Sequence, residues 1–115
     1  MSMALSKKTL DGNVETFLLS ILSEGKSDGY EIVRSLNAKS PNLVSFGEGT
    51  VYPVLHRMEK KGLLTAEWQE GDTGRKRKYY RITTKGKKAL GENLAEWQLL
   101  NEAMAAITGH QTASI

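Results

Sequence analysis

Gly49-Thr50-Val51-Tyr52-Pro53-Val54-Leu55-His56-Arg57-Met58-Glu59-Lys60-Lys61-Gly62-Leu63-Leu64, followed after a short interval by Gly74-Arg75-Lys76-Arg77-Lys78-Tyr79-Tyr80-Arg81-Ile82-Thr83, is the stretch that decides the fold of this chain. Val51, Leu55 and Met58 recur at steps of four and three, which gathers them on one side of a helix, and Gly62 supplies its stop. Leu64, Ala66 and Trp68 then alternate with Thr65 and Glu67, as Tyr80 and Ile82 do with Tyr79 and Arg81, so two half-buried strands are expected to flank residues 69–78. A glycine-stopped helix, a strand, a basic turn and a second strand give the order of a helix-turn-helix with an attached β-wing, a unit that usually holds DNA. Pro53 would cost a hydrogen bond deep inside a helix, so the helix should start near Glu48 to Thr50 and leave Pro53 in or just beyond the first turn.

Upstream, Leu10, Val14, Phe17, Leu18, Ile21 and Leu22 form one apolar stripe, predicting a helix of roughly 15 residues that stops near Gly25. Asp28 and Glu31 have capping-box spacing, and Tyr30, Val33 and Leu36 are read as the buried side of a second helix ending by Ser40-Pro41. Residues 42–49 read as a connector. Gly71, Asp72, Thr73 and Gly74 supply turn chemistry for the wing, with the cations that follow expected to project from a mobile tip or its edge.

Downstream, a helix is expected from Thr83 or Thr84 to about Thr108, with Leu90, Leu94, Trp97, Leu100, Met104 and Ile107 on a broad apolar side and Asn101 at a seam position that can fix register. Gly86 and Gly91 should each weaken it by roughly 1 kcal/mol relative to alanine, so tertiary or intersubunit packing has to hold it, and a homodimer is inferred. The expected class is mainly α with a two-stranded β-wing: a winged helix-turn-helix plus a C-terminal dimerisation helix. Residues 1–83 carry the DNA-binding region, 84–108 the dimerisation helix and 109–115 a flexible tail, all in one structural domain.

The chain has 115 residues, 39% of them hydrophobic, enough for one modest core. Cysteine is absent, which removes disulfides, thiolate metal sites and a Cys nucleophile. No window approaches the about 18 apolar residues of a membrane span, and no signal-type run opens the sequence, so a cytoplasmic protein is expected. Net charge is only +3, but its distribution is uneven. Arg75, Lys76, Arg77, Lys78, Arg81, Lys85, Lys87 and Lys88 lie between Asp72 and Glu92 with no intervening acid, so this segment carries +8 against −5 over the rest.

The outward residues of the central helix, Thr50, Tyr52, Pro53, His56, Arg57 and Lys60, can hydrogen-bond, stack or pair with phosphate. Thr50, Tyr52 and His56 are favoured for base edges, Arg57 and Lys60 for phosphate. A core role for Tyr52 at the foot of the helix and a plain surface role for His56 stay open. Arg75, Lys76, Arg77 and Lys78 are assigned to phosphates or a minor groove, which makes affinity salt-dependent, although lysines can also simply blunt a sheet edge. His56 and His110 form no acid–base pair, no serine sits in a nucleophile elbow, and Gly47-Glu48-Gly49 lacks the rest of a dinucleotide fingerprint, so no catalytic residue, metal or cofactor is expected.

These residues resemble the PadR transcriptional regulators, over Leu10 to about Ile107. The most specific parts are the segment from Gly49 to Glu59 and the basic-aromatic string from Gly74 to Thr83, with Asp28-Gly29-Tyr30-Glu31-Ile32 similar to that family's second helix. The resemblance implies a winged helix-turn-helix whose first and last helices build a two-fold dimer, and repression of promoters, often relieved by a small aromatic or drug-like ligand. Trp97 falls where small multidrug-sensing relatives look to have an interfacial tryptophan that stacks on flat ligands. Leu94, Gln98 and Asn101 would line that site, with Val14 or Phe17 closing it from helix one; packing at a dimer seam is the plainer role for Trp97. A winged helix used for protein or RNA contacts is the competing reading.

Overall fold

Ser6 begins the first helix, its hydroxyl accepting from the N–H of Thr9, and α1 runs Lys7–Ser23, starting one turn before Leu10. The computed structural model describes residues 4–71 and 74–110. Beyond α1 come a two-residue strand β1 (Ser27–Asp28), α2 (Gly29–Lys39), α3 (Glu48–Lys60), β2 (Leu64–Glu70), β3 (Lys76–Ile82) and α4 (Thr84–Thr108). The architecture is mainly helical with a small antiparallel sheet in the order β1-β3-β2, a winged helix in which α2 and α3 are the two helices and β2–β3 the wing.

The wing therefore has a third strand that periodicity did not predict. Ser27 and Asp28 pair with Tyr80 and Tyr79, and two residues are too few to show alternation. Asp28 leaves that strand as the N-cap of α2, its carboxylate accepting from the Glu31 N–H at 2.8 Å. On α2 the expected buried side needs correction: Ile32 and Leu36 are buried, Val33 is half-buried, and Tyr30 is 50% exposed with the Arg34 guanidinium over its ring. Tyr30 sits two residues, about 200°, round the helix from Ile32 and so lies on the face of α2 opposite the buried Ile32 and Leu36.

The core is a layer of Val14, Leu18, Leu19, Ile21 and Leu22 from α1, Ile32 and Leu36 from α2, and Val51, Val54, Leu55 and Met58 from α3, closed by Phe46, Leu64 and Tyr80. Helix α3 ends as the sequence predicts. Gly62 takes φ +80°, its N–H bonds to the Glu59 carbonyl and that of Leu63 to the Met58 carbonyl, the paired bonds of a Schellman ending that only glycine accommodates without strain.

Gly86 is the position where helix propensity misleads. A Cβ there would run into the Leu63 carbonyl oxygen and lie 2.7 Å from Ile82 Cγ1, so the absent side chain lets α4 sit directly on the turn between α3 and β2. Thr83 completes that joint: its hydroxyl oxygen accepts from the Gly86 N–H at 3.0 Å and lies 2.7 Å from the Gly62 carbonyl oxygen, to which it can donate. Farther along, the Asn93 amide donates to Thr16 on α1 at 3.0 Å. Beyond that contact α4 leaves the core, and Leu94, Trp97, Leu99, Leu100, Met104 and Ile107 are all about half exposed or more. Gly109, assigned to a flexible tail, instead caps α4 in the left-handed region at φ 71°, its N–H bonded to the Ala105 carbonyl. The rest of that tail beyond His110, and Asp72 and Thr73 of the turn, lie outside the described residues. No described helix is long and apolar enough to cross a membrane.

Candidate nucleic-acid interface

Asn37 fixes the approach to α3. Its side chain accepts from the Phe46 N–H and donates to the Phe46 carbonyl, both at 2.8 Å, clamping residues 40–47 as the turn between α2 and α3. Phe46 is buried behind it, with its ring edge-on to Phe17 at 6.2 Å between centroids. Four inward side chains, Val51, Val54, Leu55 and Met58, then hold α3 against the core. With about 100° between successive residues, the opposite face presents Pro53, His56 and Lys60. Tyr52 lies on the flank toward the wing, Thr50 and Arg57 on the other; all six are exposed. Pro53 is the sixth residue of α3, just past the first turn, and the carbonyl it leaves without a donor belongs to the exposed Gly49.

Between α3 and the wing lies an open groove of about 710 Å³ whose walls include Tyr30, Tyr52, His56, Trp68, Tyr80 and the run Arg75 to Lys78. The fold thus brings Tyr52 and His56 together with all four wing cations. Thr50, Pro53 and Lys60 share the exposed side of α3 but do not line the groove. Arg57 turns away from it and lines a second groove of about 450 Å³ between α1 and α4, together with Val14, Trp97, Leu100 and the acids Asp11, Glu15 and Glu96.

Two details of the first groove depart from the sequence reading. Trp68 was expected on the inward face of β2 below Leu64 and Ala66; it is on that face, yet 66% exposed, because β2 runs past the helical layer and the face there overlooks the groove instead of the core. The cations do not project from a tip. Lys76, Arg77 and Lys78 are residues of β3, paired with Glu70, Gln69 and Trp68 of β2, and only Arg75 precedes the strand.

Two of these cations already have acidic partners. Arg77 donates to the buried carboxylate of Asp28 at 3.2 Å, and Lys78 to Glu59 of α3 at 3.1 Å. The hydrogen bond and charge of Asp28 raise the Arg77 pKa further. For Lys78, burial works toward a lower pKa, but the bond to Glu59 with the nearby Tyr80 leaves it raised. Burial, then the charges of Glu48 and Asp28, push the Tyr52 phenol upward, so the groove presents it as a neutral hydroxyl. The Tyr52 ring also rests on Gly29 at the start of α2, where a Cβ would come within 2.6 Å of Cε1.

Of the proposed ligand residues, Val14 and Trp97 share the α1–α4 groove, with Trp97 50% exposed. Leu94, Gln98 and Asn101 lie on α4 outside its lining, and Phe17 faces Phe46. Among the described residues no group of His, Cys, Asp and Glu is arranged to hold a metal ion. Asn37, Trp68, Asp28 and Glu59 are the site residues that sequence reading missed; Asp28 alone carried a signal, its capping position.

The model of the transcriptional regulator PadR-like family matches residues 18–92. The chain is similar to a transcriptional regulator from Clostridium thermocellum, with a TM-score of 0.82 and 33% identity over 91% of this chain and 99% of that one. A PadR-like transcriptional regulator from Bacillus cereus gives a TM-score of 0.76 and 32% identity, covering 91% and 100%. An uncharacterized protein of Lysinibacillus sphaericus is 36% identical over 91 residues, 79% of this chain and 84% of its own.

Proposed function

This chain belongs to the transcriptional regulator PadR-like family, a DNA-binding regulator and not an enzyme, and from that premise we propose that it binds an inverted-repeat operator as a homodimer in the cytoplasm and represses transcription until a small aromatic ligand releases it. The observation that carries the DNA mode is the groove in which Tyr52 and His56 of α3 face the basic strand β3. A helix whose N-terminal residues point outward enters a major groove, with Thr50, Tyr52 and His56 nearest base edges and Lys60 on phosphate, while Arg75 and Lys76 reach the adjoining backbone.

The dimer is supported by α4. A soluble protein rarely leaves an apolar row such as Leu94, Trp97, Leu100, Met104 and Ile107 uncovered, and a second copy related by a two-fold axis would cover it. Selection from a random duplex library tests both points at once. The expected product is a palindrome whose half-sites are about 34 to 36 Å, or a multiple of that, apart; enrichment of nothing, or of a single half-site, counts against the reading.

Effector control is supported by the α1–α4 groove, which joins Trp97 to Arg57 of α3; of its three carboxylates Asp11 and Glu15 pair with Lys7 and Lys61, and Glu96 beside Trp97 suits a flat cationic aromatic. A ligand there that favours the unbound geometry by about 2.7 kcal/mol weakens operator binding about a hundredfold. Fluorescence titration with planar cationic dyes should show tight binding to the wild type and weak binding to Trp97→Ala. Equal affinities remove Trp97 from the site.

A further inference from the structure

The wing carries four consecutive cations, yet Arg77 is engaged by Asp28 at the N-cap of α2 and Lys78 by Glu59 of α3. Asp28 is 5% exposed; one carboxylate oxygen accepts from the Glu31 N–H at 2.8 Å and the other from Arg77 at 3.2 Å. Glu59, on α3 itself, takes Lys78, whose ammonium also lies 5.3 Å from the centre of the Tyr80 ring. Arg75 and Lys76 make no ion pair with any described residue.

We propose that Asp28 and Glu59 are positioning residues that act as built-in counter-ions: they tie the wing to the start of α2 and to α3 and keep Arg77 and Lys78 out of sequence-blind phosphate binding. The physical ground is that a cation already neutralised by a carboxylate does not neutralise a phosphate, and so releases none of the counterions condensed on the DNA. If phosphate displaced the carboxylate, Asp28 would be left charged and buried, so the exchange is unfavourable. Non-specific attraction then falls to Arg75 and Lys76, while Arg77 and Lys78 brace the groove. This rests on the DNA-binding reading and adds to it which acids set the strength of that binding.

The test is the salt dependence of affinity for a random-sequence duplex, measured for the wild type, Asp28→Asn, Glu59→Gln and Lys76→Gln. Asparagine keeps the α2 cap and glutamine keeps the length of Glu59, so each change frees one cation without deleting a side chain. Each freed cation should steepen the slope of log K against log salt by about 0.9 per protomer, a loss of affinity about threefold to fourfold larger over a fourfold rise in salt, with tighter binding at low salt. Lys76→Gln should flatten the slope by a similar amount. A merely structural role for the acids predicts weaker binding with the slope unchanged. Unchanged slopes in both acid variants, with the wild type binding and Lys76→Gln flattened, overturn this inference alone; wild-type protein that ignores the duplex at low salt overturns the DNA reading and this inference with it. Should Asp28→Asn fail to fold, Glu59→Gln by itself decides between the two outcomes.

Discussion

Tyr80 places a phenol where the wing meets the core, 4% exposed, and burial pushes its pKa upward more strongly than the neighbouring Lys78 charge pulls it down. A raised value in the folded state means that the unfolded chain gives up this proton first. The associated stability is whole below the ordinary tyrosine pKa of 10.0 and drains away as pH climbs through the folded value. Tyr52 and Lys78 shift in the same direction and reinforce an alkaline limb. Denaturant unfolding followed across that limb should therefore fall less steeply for Tyr80→Phe, the difference bounded by one proton, about 1.4 kcal/mol per pH unit; parallel curves would mean that Tyr80 ionises as freely folded as unfolded. A second residue prediction concerns Asn37. Replacing it by alanine strips two partners from the backbone of buried Phe46, which should cost about 1–3 kcal/mol and lower the melting temperature by several degrees. DNA affinity should drop further than stability alone explains, since the same bonds set where α3 begins. Neither bond was legible in the sequence, because an asparagine nine positions from its partner has no local signature.

Among the elements, α3 and α4 were legible in extent, α4 running Thr84–Thr108 as expected, and β1 was not. The stripe of Val51, Leu55 and Met58 and the stop at Gly62 are written within a few residues of one another, and the structure repeats them. On α4, by contrast, two glycines looked alike in sequence and differ in space. Gly86 is pressed against the Leu63 carbonyl, whereas a Cβ at Gly91 meets nothing within 4 Å. Gly86→Ala should consequently destabilise by about 1–3 kcal/mol through overpacking against backbone, while Gly91→Ala should stabilise by up to about 1 kcal/mol through helix propensity. Thermal unfolding of the two variants side by side checks the contrast, and stabilisation by both would show that α4 does not need its close seat on the turn between α3 and β2. The wing illustrates the same limit: periodicity found β2 and β3 but not β1, whose two residues become a strand only by pairing with Tyr79 and Tyr80.

At the scale of the molecule, the long axis measures 56 Å against 35 and 23 Å for the others, an elongation out of proportion to the single core. The apolar residues of α4 from Leu94 to Ile107 stay about half exposed or more in the single subunit, and the proposed dimer would cover them. Met104→Glu, 48% exposed and remote from both core and groove, should leave the subunit folded but raise the dimer dissociation constant about a hundredfold or more, since both copies lose an apolar contact and gain a charge. Sedimentation over a micromolar range reads this directly; a dimer of unchanged strength would move the interface elsewhere, and a strictly monomeric wild type would remove it. Loss of operator affinity in the same variant would tie two-fold binding to α4.

Read without its structure, the chain settles its helices, its wing strands and the concentration of positive charge near β3, because apolar periodicity, capping residues and charge runs are local properties of neighbouring residues. Only the tertiary structure decides that Arg77 and Lys78 face Asp28 and Glu59, that Arg57 points toward Trp97 and away from the basic groove, and that Trp68 is exposed. The Arg77 and Asp28 side chains meet across 49 positions of sequence. A contact between distant residues depends on how the helices pack and where the sheet outruns them, and no local pattern encodes that.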